Sequence, residues 1–256
     1  MCLILLAIKV HPFYKLVIAA NRDEYYDRPT AAASFWDDPP DLLAGRDLRA
    51  GGTWFGITKE GRIAAVTNYR DPASLKSHAP SRGELVSDFL AGKKEPEEYL
   101  AGLDLKSGDY NGFNLIIGAK DHIYWYSNRG IGTHYLLPGI YGVSNRLLDT
   151  PWPKVSRGKA ALEEILSEKK APSPSVLFDM LLDRSTPDDD SLPDTGVGLE
   201  WERILSSIFI ASSNYGTRSS TILLIDQNDH VTFMERTHTS DPDRNKDALF
   251  EFPIEN

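Results

Sequence analysis

One cysteine, at position 2, is the only thiol in this 256-residue chain. It excludes an internal disulfide, so the compartment has to be judged from other features. The six histidines, at 11, 78, 122, 134, 230 and 238, show none of the short spacings that pair metal ligands. A metal centre is therefore not expected, although one histidine or the cysteine would suffice as an axial ligand to haem. No apolar run is long enough to span a bilayer, and "CLILLAI" at the start is too short and too poorly flanked for a secretory signal. Positive charge is also scarce: the formal net charge is −9, with 28 Lys and Arg against 37 Asp and Glu. That argues against a nucleic-acid partner, which calls for a basic face. Neither repeats nor low-complexity tracts occur, which excludes a solenoid or a disordered scaffold. The expectation is a soluble cytoplasmic protein without stable membrane insertion, whose partner is a small-molecule substrate or ligand; its oligomeric state is left open.

What is present reads as an α+β protein. The apolar runs 2–8 and 15–20, joined by "KVHPFY", predict an antiparallel hairpin with strands buried on both faces. A chain end tied into a central strand does not fray. Residues 53–58 and 62–68 flank "KEGR" as a second hairpin, whereas 27–52, full of Pro, Gly and Asp, reads as loop. Helix is expected at 81–91, between an N-cap Ser81 and a stop at Gly92, again from Pro153 to 169, and at 173–183. Four short strands are expected between 113 and 143, and three more in "SIFIASS", "SSTILLID" and "HVTFMERT". The acidic stretch 184–198 looks like a solvated loop. Strands at both ends with helices between do not alternate as a doubly wound fold requires. Two antiparallel sheets with helices outside fit better, and no linker divides the chain, so one domain over 1–256 is expected.

The position of Cys2 carries chemistry. Removal of Met1, which a small second residue permits, would leave a residue bearing both a thiol and a free α-amine. That amine, with a reference pKa of about 7.7–8.0, can take the thiol proton directly or through water. The thiolate is the nucleophile, so no histidine is needed. The plainer reading is a small buried hydrophobe. "NRDE" at 21–24 ends the strand expected beside the first, which brings these four residues near Cys2. Arg22 can lower the thiol pKa and Asp23 can hold the amine, but strand alternation keeps the two on opposite faces. Asn68 in "VTNYRDP" and Asn145 in "GVSNRLLDTPW" each follow an apolar strand. They can supply donors to an oxyanion, or simply do turn work. "LAGRDLRAGGTWFGI" is no phosphate loop; its glycines allow close approach to a ligand, which makes Arg46 and Trp54, with Asn21, the candidates for holding substrate. Arg218 in "SSNYGTRSST" can meet a substrate carboxylate or steady the nucleophile.

Cys2, "NRDE", "AGRD" with "GGTW", "TNYRDP", "SN" with "DTPWPKV" and "YGTRSST" together resemble the NRDE-motif family, that of transport and Golgi organisation protein 2. They occur end to end and in order. The resemblance implies an αββα sandwich like that of N-terminal nucleophile (Ntn) hydrolases. A more distant similarity, to the Ntn branch of conjugated bile acid hydrolases, penicillin V acylase and acid ceramidase, implies roles residue by residue. Cys2 matches the nucleophile, Asp23 the aspartate that orients it, Asn68 the backbone oxyanion donor and Asn145 the side-chain donor. The branch arginine falls on Ala20, so Arg22 is the nearest basic residue, and Arg218 stands in for a second arginine. The function so implied is a cysteine amidohydrolase acting on a linear amide or an acyl thioester. Its alternative is a non-catalytic carrier of haem or of an acyl-CoA or lipid-type metabolite. No cofactor is expected for the hydrolase, and haem enters only as a ligand of the carrier.

Overall fold

The apolar runs at the start of the chain pair as expected. In the computed structural model, which describes residues 2–119, 122–168, 170–239 and 241–255, strand β1 (Cys2–Ile8) runs antiparallel to β2 (Tyr14–Tyr25). Met1, whose removal the second residue permits, and Lys169, the last residue of the expected second helix, lie outside the described residues. The chain forms two compact units: one of Met1–Asp27, Leu137–Ser144 and Leu148–Phe252, the other of Arg28–Leu136, Asn145–Leu147 and Pro253–Asn256.

The first unit is built on a six-stranded antiparallel sheet. β1 is flanked by β10 (Gly139–Val143) and β2, and β2 by β11 (Tyr215–Asp226). β12 (His230–Thr237) and β13 (Lys246–Pro253) complete it. β1 after Cys2 and the middle of β2 are buried at every residue, so they lack the polar alternation of a half-exposed strand. One face, carrying Leu3, Leu5, Ala7, Val17, Ala19, Ile222 and Leu224, packs with Val155 and Leu162 of helix α3 (Pro153–Ser167) and Leu177, Phe178 and Leu181 of α4 (Pro174–Leu181). Each such leucine, moved from water to a core, contributes about 1.5–3 kcal/mol. Both helices begin with proline, whose missing N–H costs nothing at a helix start.

The second unit is a seven-stranded meander in sequence order: β3 (Thr30–Phe35), β4 (Leu42–Asp47), β5 (Phe55–Thr58), β6 (Arg62–Asn68), β7 (Phe113–Ala119), β8 (His122–Ser127) and β9 (Thr133–Tyr135). Leu42, Ala44, Ala64, Val66, Leu115 and Ile117 form its core with Leu85, Val86, Phe89 and Leu90 of α1 (Arg82–Ala91) and Leu100 and Leu103 of α2 (Pro96–Asp104). Ser81 caps α1 as expected, its hydroxyl accepting from the Gly83 N–H.

Three expectations need correction. The stretch 27–52 holds β3 and β4, because Leu42, Leu43 and Ala44 are buried against β5 and outweigh the turn-like composition around them. "SIFIASS" (207–213) is not a strand; it makes one isolated bridge, Ala211 with Gly216. Ser207 and Ser212 donate to the nearby Phe209 and Tyr215 carbonyls, and such local bonds compete with a ladder. α2 and α5 (Leu199–Ile204) were not anticipated. No helix among the described residues is long and apolar enough to cross a membrane.

Candidate functional site

The β1–β2 register places Cys2 opposite Arg22 and Leu3 opposite Asn21. Directly paired residues project from the same face of a sheet, so Arg22 shares the face of Cys2, and Asn21 and Asp23 take the other. The alternation conflict in the sequence is thereby resolved: Arg22, not Asp23, has its side chain on the thiol's face. Asp23 meets the thiol through its backbone, which hydrogen-bonds to the sulfur. Ser144, just past β10, donates its hydroxyl to the Cys2 carbonyl at 3.0 Å and so pins the end of β1.

Burial pushes the Cys2 thiol above its ordinary pKa, and the neighbouring Asp23 charge adds to that. The Asp23 backbone bond and the Arg22 charge act in the opposite direction. Cys2 itself keeps some exposed surface. Asp23 is buried to 1% exposure, and burial also raises its carboxyl pKa. Among the described residues, the charge of Lys154, the Thr217 hydroxyl and the charge of Arg22 counter the rise. Thr217 Oγ1 donates to Asp23 Oδ1 at 2.7 Å and accepts the Ile210 N–H at 2.9 Å. Tyr215 donates its phenol to the Asp23 carbonyl at 3.0 Å. Lys154, second residue of α3, is buried to 1% exposure, and its charge near Asp23 was not anticipated. Its only signal was its place in "DTPWPKV".

Asn21, an expected substrate contact, is engaged within the protein. Its amide donates to the Leu181 and Ile208 carbonyls, 2.9 Å each, tying the end of α4 and the 207–213 segment to β2. Its Oδ1 accepts from Ser220 Oγ at 2.6 Å, and Ser220 lies 2.8 Å from His238 Nε2. Because the single hydroxyl hydrogen of Ser220 goes to Asn21, His238 donates to Ser220. Arg218 sits where the β11–β2 register shifts between Thr217 and Ser219, and its guanidinium donates to the Tyr25 carbonyl at 2.8 Å.

The remaining expected residues lie in the second unit. Asn145 is fully buried, and its Nδ2 donates to the Asn68 carbonyl at 2.9 Å, so one of its two amide hydrogens is engaged there. The Asn145 carbonyl accepts the Arg70 N–H at 2.7 Å, and Asn114 bridges Thr67 Oγ1 and the Arg146 carbonyl. Asn68 and Asn145 are thus held together within this unit. Arg46 stacks on Trp36 at 4.2 Å and donates to the Gly51 carbonyl. Trp54 lies on Gly45, where a Cβ would come within 2.4 Å of the indole, and a Cβ on Gly52 would come within 2.5 Å of the Gly83 backbone. Gly45 and Gly52 therefore serve close packing of the chain on itself.

The fold is that of an Ntn hydrolase. The structure is similar to the N-acylethanolamine-hydrolyzing acid amidase ortholog of Caenorhabditis elegans, with a TM-score of 0.51, 11% identity and coverage of 87% of this chain and 92% of that one. It is also similar to the conjugated bile acid hydrolase of Clostridium perfringens, with a TM-score of 0.54, 8% identity and coverage of 100% and 94%. A family profile described as Transport and Golgi organisation 2 matches residues 1–240, and the chain belongs to that family. Its relatives include the mouse Transport and Golgi organization 2 homolog, 37% identical over the whole of both chains. The human homolog is 40% identical over 93% of each chain.

Proposed function

We propose that the protein is a cysteine amidohydrolase of the N-terminal nucleophile type, acting on a linear amide or an acyl thioester through Cys2. The observation that carries this reading is the corner formed by Cys2, Arg22 and Asp23, with Thr217 behind it. The Cys2 thiol accepts from the Asp23 backbone, Arg22 stands opposite on the same face, and the Asp23 carboxylate is held from behind by Thr217.

In the reaction so read, Met1 has been removed and the α-amine of Cys2 accepts the thiol proton. The thiolate attacks the carbonyl carbon, and the resulting oxyanion is assigned, by the resemblance, to the Asn68 N–H and the Asn145 amide. The ammonium returns its proton to the leaving amine as the carbon–nitrogen bond breaks, giving a thioester. Water, deprotonated by the same amine, then releases the acid and restores the thiol. Arg22 favours the thiolate by its charge, and Asp23 orients the amine. The likeness of fold to an amidase and a bile acid hydrolase is compatible with this chemistry but does not by itself specify it.

A second reading is favoured by one observation, the raised pKa of the thiol, which leaves little thiolate at neutral pH while the thiol stays buried and coupled to Asp23. It is the non-catalytic carriage of haem or of an acyl-CoA or lipid-type metabolite. Intact mass with peptide mapping after a stoichiometric alkylator separates the two. Loss of Met1 and rapid labelling of Cys2, followed by amide or thioester turnover that disappears in Cys2→Ala, is the expected result. A retained Met1 with an inert thiol would sink the hydrolase and direct the search to captured ligands.

A further inference from the structure

Four hydroxyl-bearing residues of β11, Thr217, Ser219, Ser220 and Thr221, divide between the two faces of the first unit's sheet. Thr217 and Ser220 turn toward Asp23 and Asn21, and both hydroxyls are used there. Ser219 and Thr221 take the face of Cys2. Thr221 Oγ1 reaches Glu235 Oε2 at 3.5 Å, whereas Ser219 Oγ has no hydrogen-bond partner within the protein although the residue is 5% exposed. Buried hydroxyls are almost always bonded, so an exception in a native fold points to a partner that arrives from outside.

The ladder says what lies next to it. Ser219 is paired with Arg22, and Arg22 with Cys2, so three adjacent strands carry serine, arginine and cysteine in one row on one face. Directly opposed residues in an antiparallel pair have Cβ atoms about 5 Å apart, which spaces the row at roughly 5 and 10 Å from the cysteine. The row therefore brings together an arginine, with five N–H donors, and a serine, with one O–H donor, a combination suited to a carboxylate. Arg22 is itself buried to 5% exposure.

We propose that Arg22 and Ser219 form an anion subsite beside the nucleophile, which takes a carboxylate carried by the substrate a few bonds from the carbonyl that Cys2 attacks. The substrate class is then an amide or thioester that bears a second, acidic group. This rests on Cys2 being the nucleophile. Ser219 is a substrate-contacting residue in this scheme, not part of the folding framework.

The test compares the rates at which iodoacetate and iodoacetamide label Cys2 in the full chain, each divided by the rate of the same reagent with glutathione at the same pH. Both reagents form the same carbon–sulfur bond with loss of iodide, and only one carries a carboxylate. The expected result is a preference for iodoacetate of about tenfold, the size of one good charge-assisted contact. Ser219→Ala reduces that preference severalfold without lowering the melting temperature, because the hydroxyl it removes has no partner in the protein. Ser219→Asp reverses it. A ratio near one in the unaltered protein, a ratio that survives Ser219→Ala, or a lower melting temperature in Ser219→Ala overturns the subsite while Cys2 remains a nucleophile. If neither reagent labels Cys2, the nucleophile is overturned and the subsite with it.

Discussion

Cys2 and Arg22 stand directly opposite each other in the β1–β2 ladder, so a buried cation and the chain's single thiol share one face of the sheet. The Arg22 charge favours the thiolate and works against the burial that raises the thiol pKa. Replacing it by a neutral side chain of similar length removes that support. Arg22→Met should shift the thiol titration upward and slow alkylation at neutral pH about tenfold, the rate equivalent of one pKa unit. Arg22→Lys should keep most of the rate. Stopped-flow alkylation across a pH series reads both, and an unchanged profile in Arg22→Met would show that the arginine does not act on the thiol.

Thr217 holds Asp23 from the helix-facing side and also accepts the Ile210 N–H. Thr217→Val keeps the volume and removes the hydroxyl, which takes one bond from the buried Asp23 carboxylate and its acceptor from the Ile210 N–H. The expected cost is about 1–3 kcal/mol for each group left without its bond, with Thr217→Ser close to the unaltered protein. Thermal or urea unfolding of the three proteins gives the answer.

His238 should make stability depend on acidity. Burial is the main cause that moves its pKa down from 6.5 to about 4, and the nearby Arg236 charge adds to it. Between those values the unfolded chain binds the proton and the folded chain does not, so stability rises with pH across the window and falls on acidification from 7 towards 4. Asp47, Asp183 and Asp247, whose pKa values are lowered, contribute their own losses from the acid end of that range downward. His238→Gln keeps a donor for Ser220 and removes the titration. Its melting temperature should vary less between pH 4 and 6.5 than that of the unaltered protein; parallel curves would show that the histidine is not responsible.

Two neighbouring glycines should respond to alanine for different reasons. Gly51 has a φ of +81° and open space around it, so Gly51→Ala costs about 1 kcal/mol of backbone strain. At Gly52 an added Cβ would lie 2.5 Å from the Gly83 backbone, where the β4–β5 connection packs on the start of α1. Gly52→Ala should cost more, about 1–3 kcal/mol or above, because backbone rather than a flexible side chain has to move. Denaturant midpoints of the two variants rank them directly.

Much of this architecture could be read before any coordinates. The unbroken apolar run 2–8, the second run ending in "NRDE", the Ser81 cap and the Pro153 start all sit where local chemistry puts them, because each depends on residues within a turn or two. The association of Cys2, Asp23, Asn68 and Asn145 with one family's motifs could also be read, since motifs lie in the order of residues. What could not be read depends on pairing between distant segments. The strands within 27–52 form because buried partners outweigh turn-like composition. The segment 207–213 fails to form one because its serines bond locally. The face of Arg22 was decided by register, a one-residue matter that reverses every side chain and that no single strand specifies. The place of Ser219 beside it was decided by the shift at Arg218, which lets Thr217 meet Asp23 on one face and Ser219 meet Arg22 on the other. The sequence alone determined which chemical groups the protein owns and most of its local elements. Only the tertiary structure decided which of those groups face the thiol, because that choice belongs to the alignment of strands drawn from residues 2, 22 and 219.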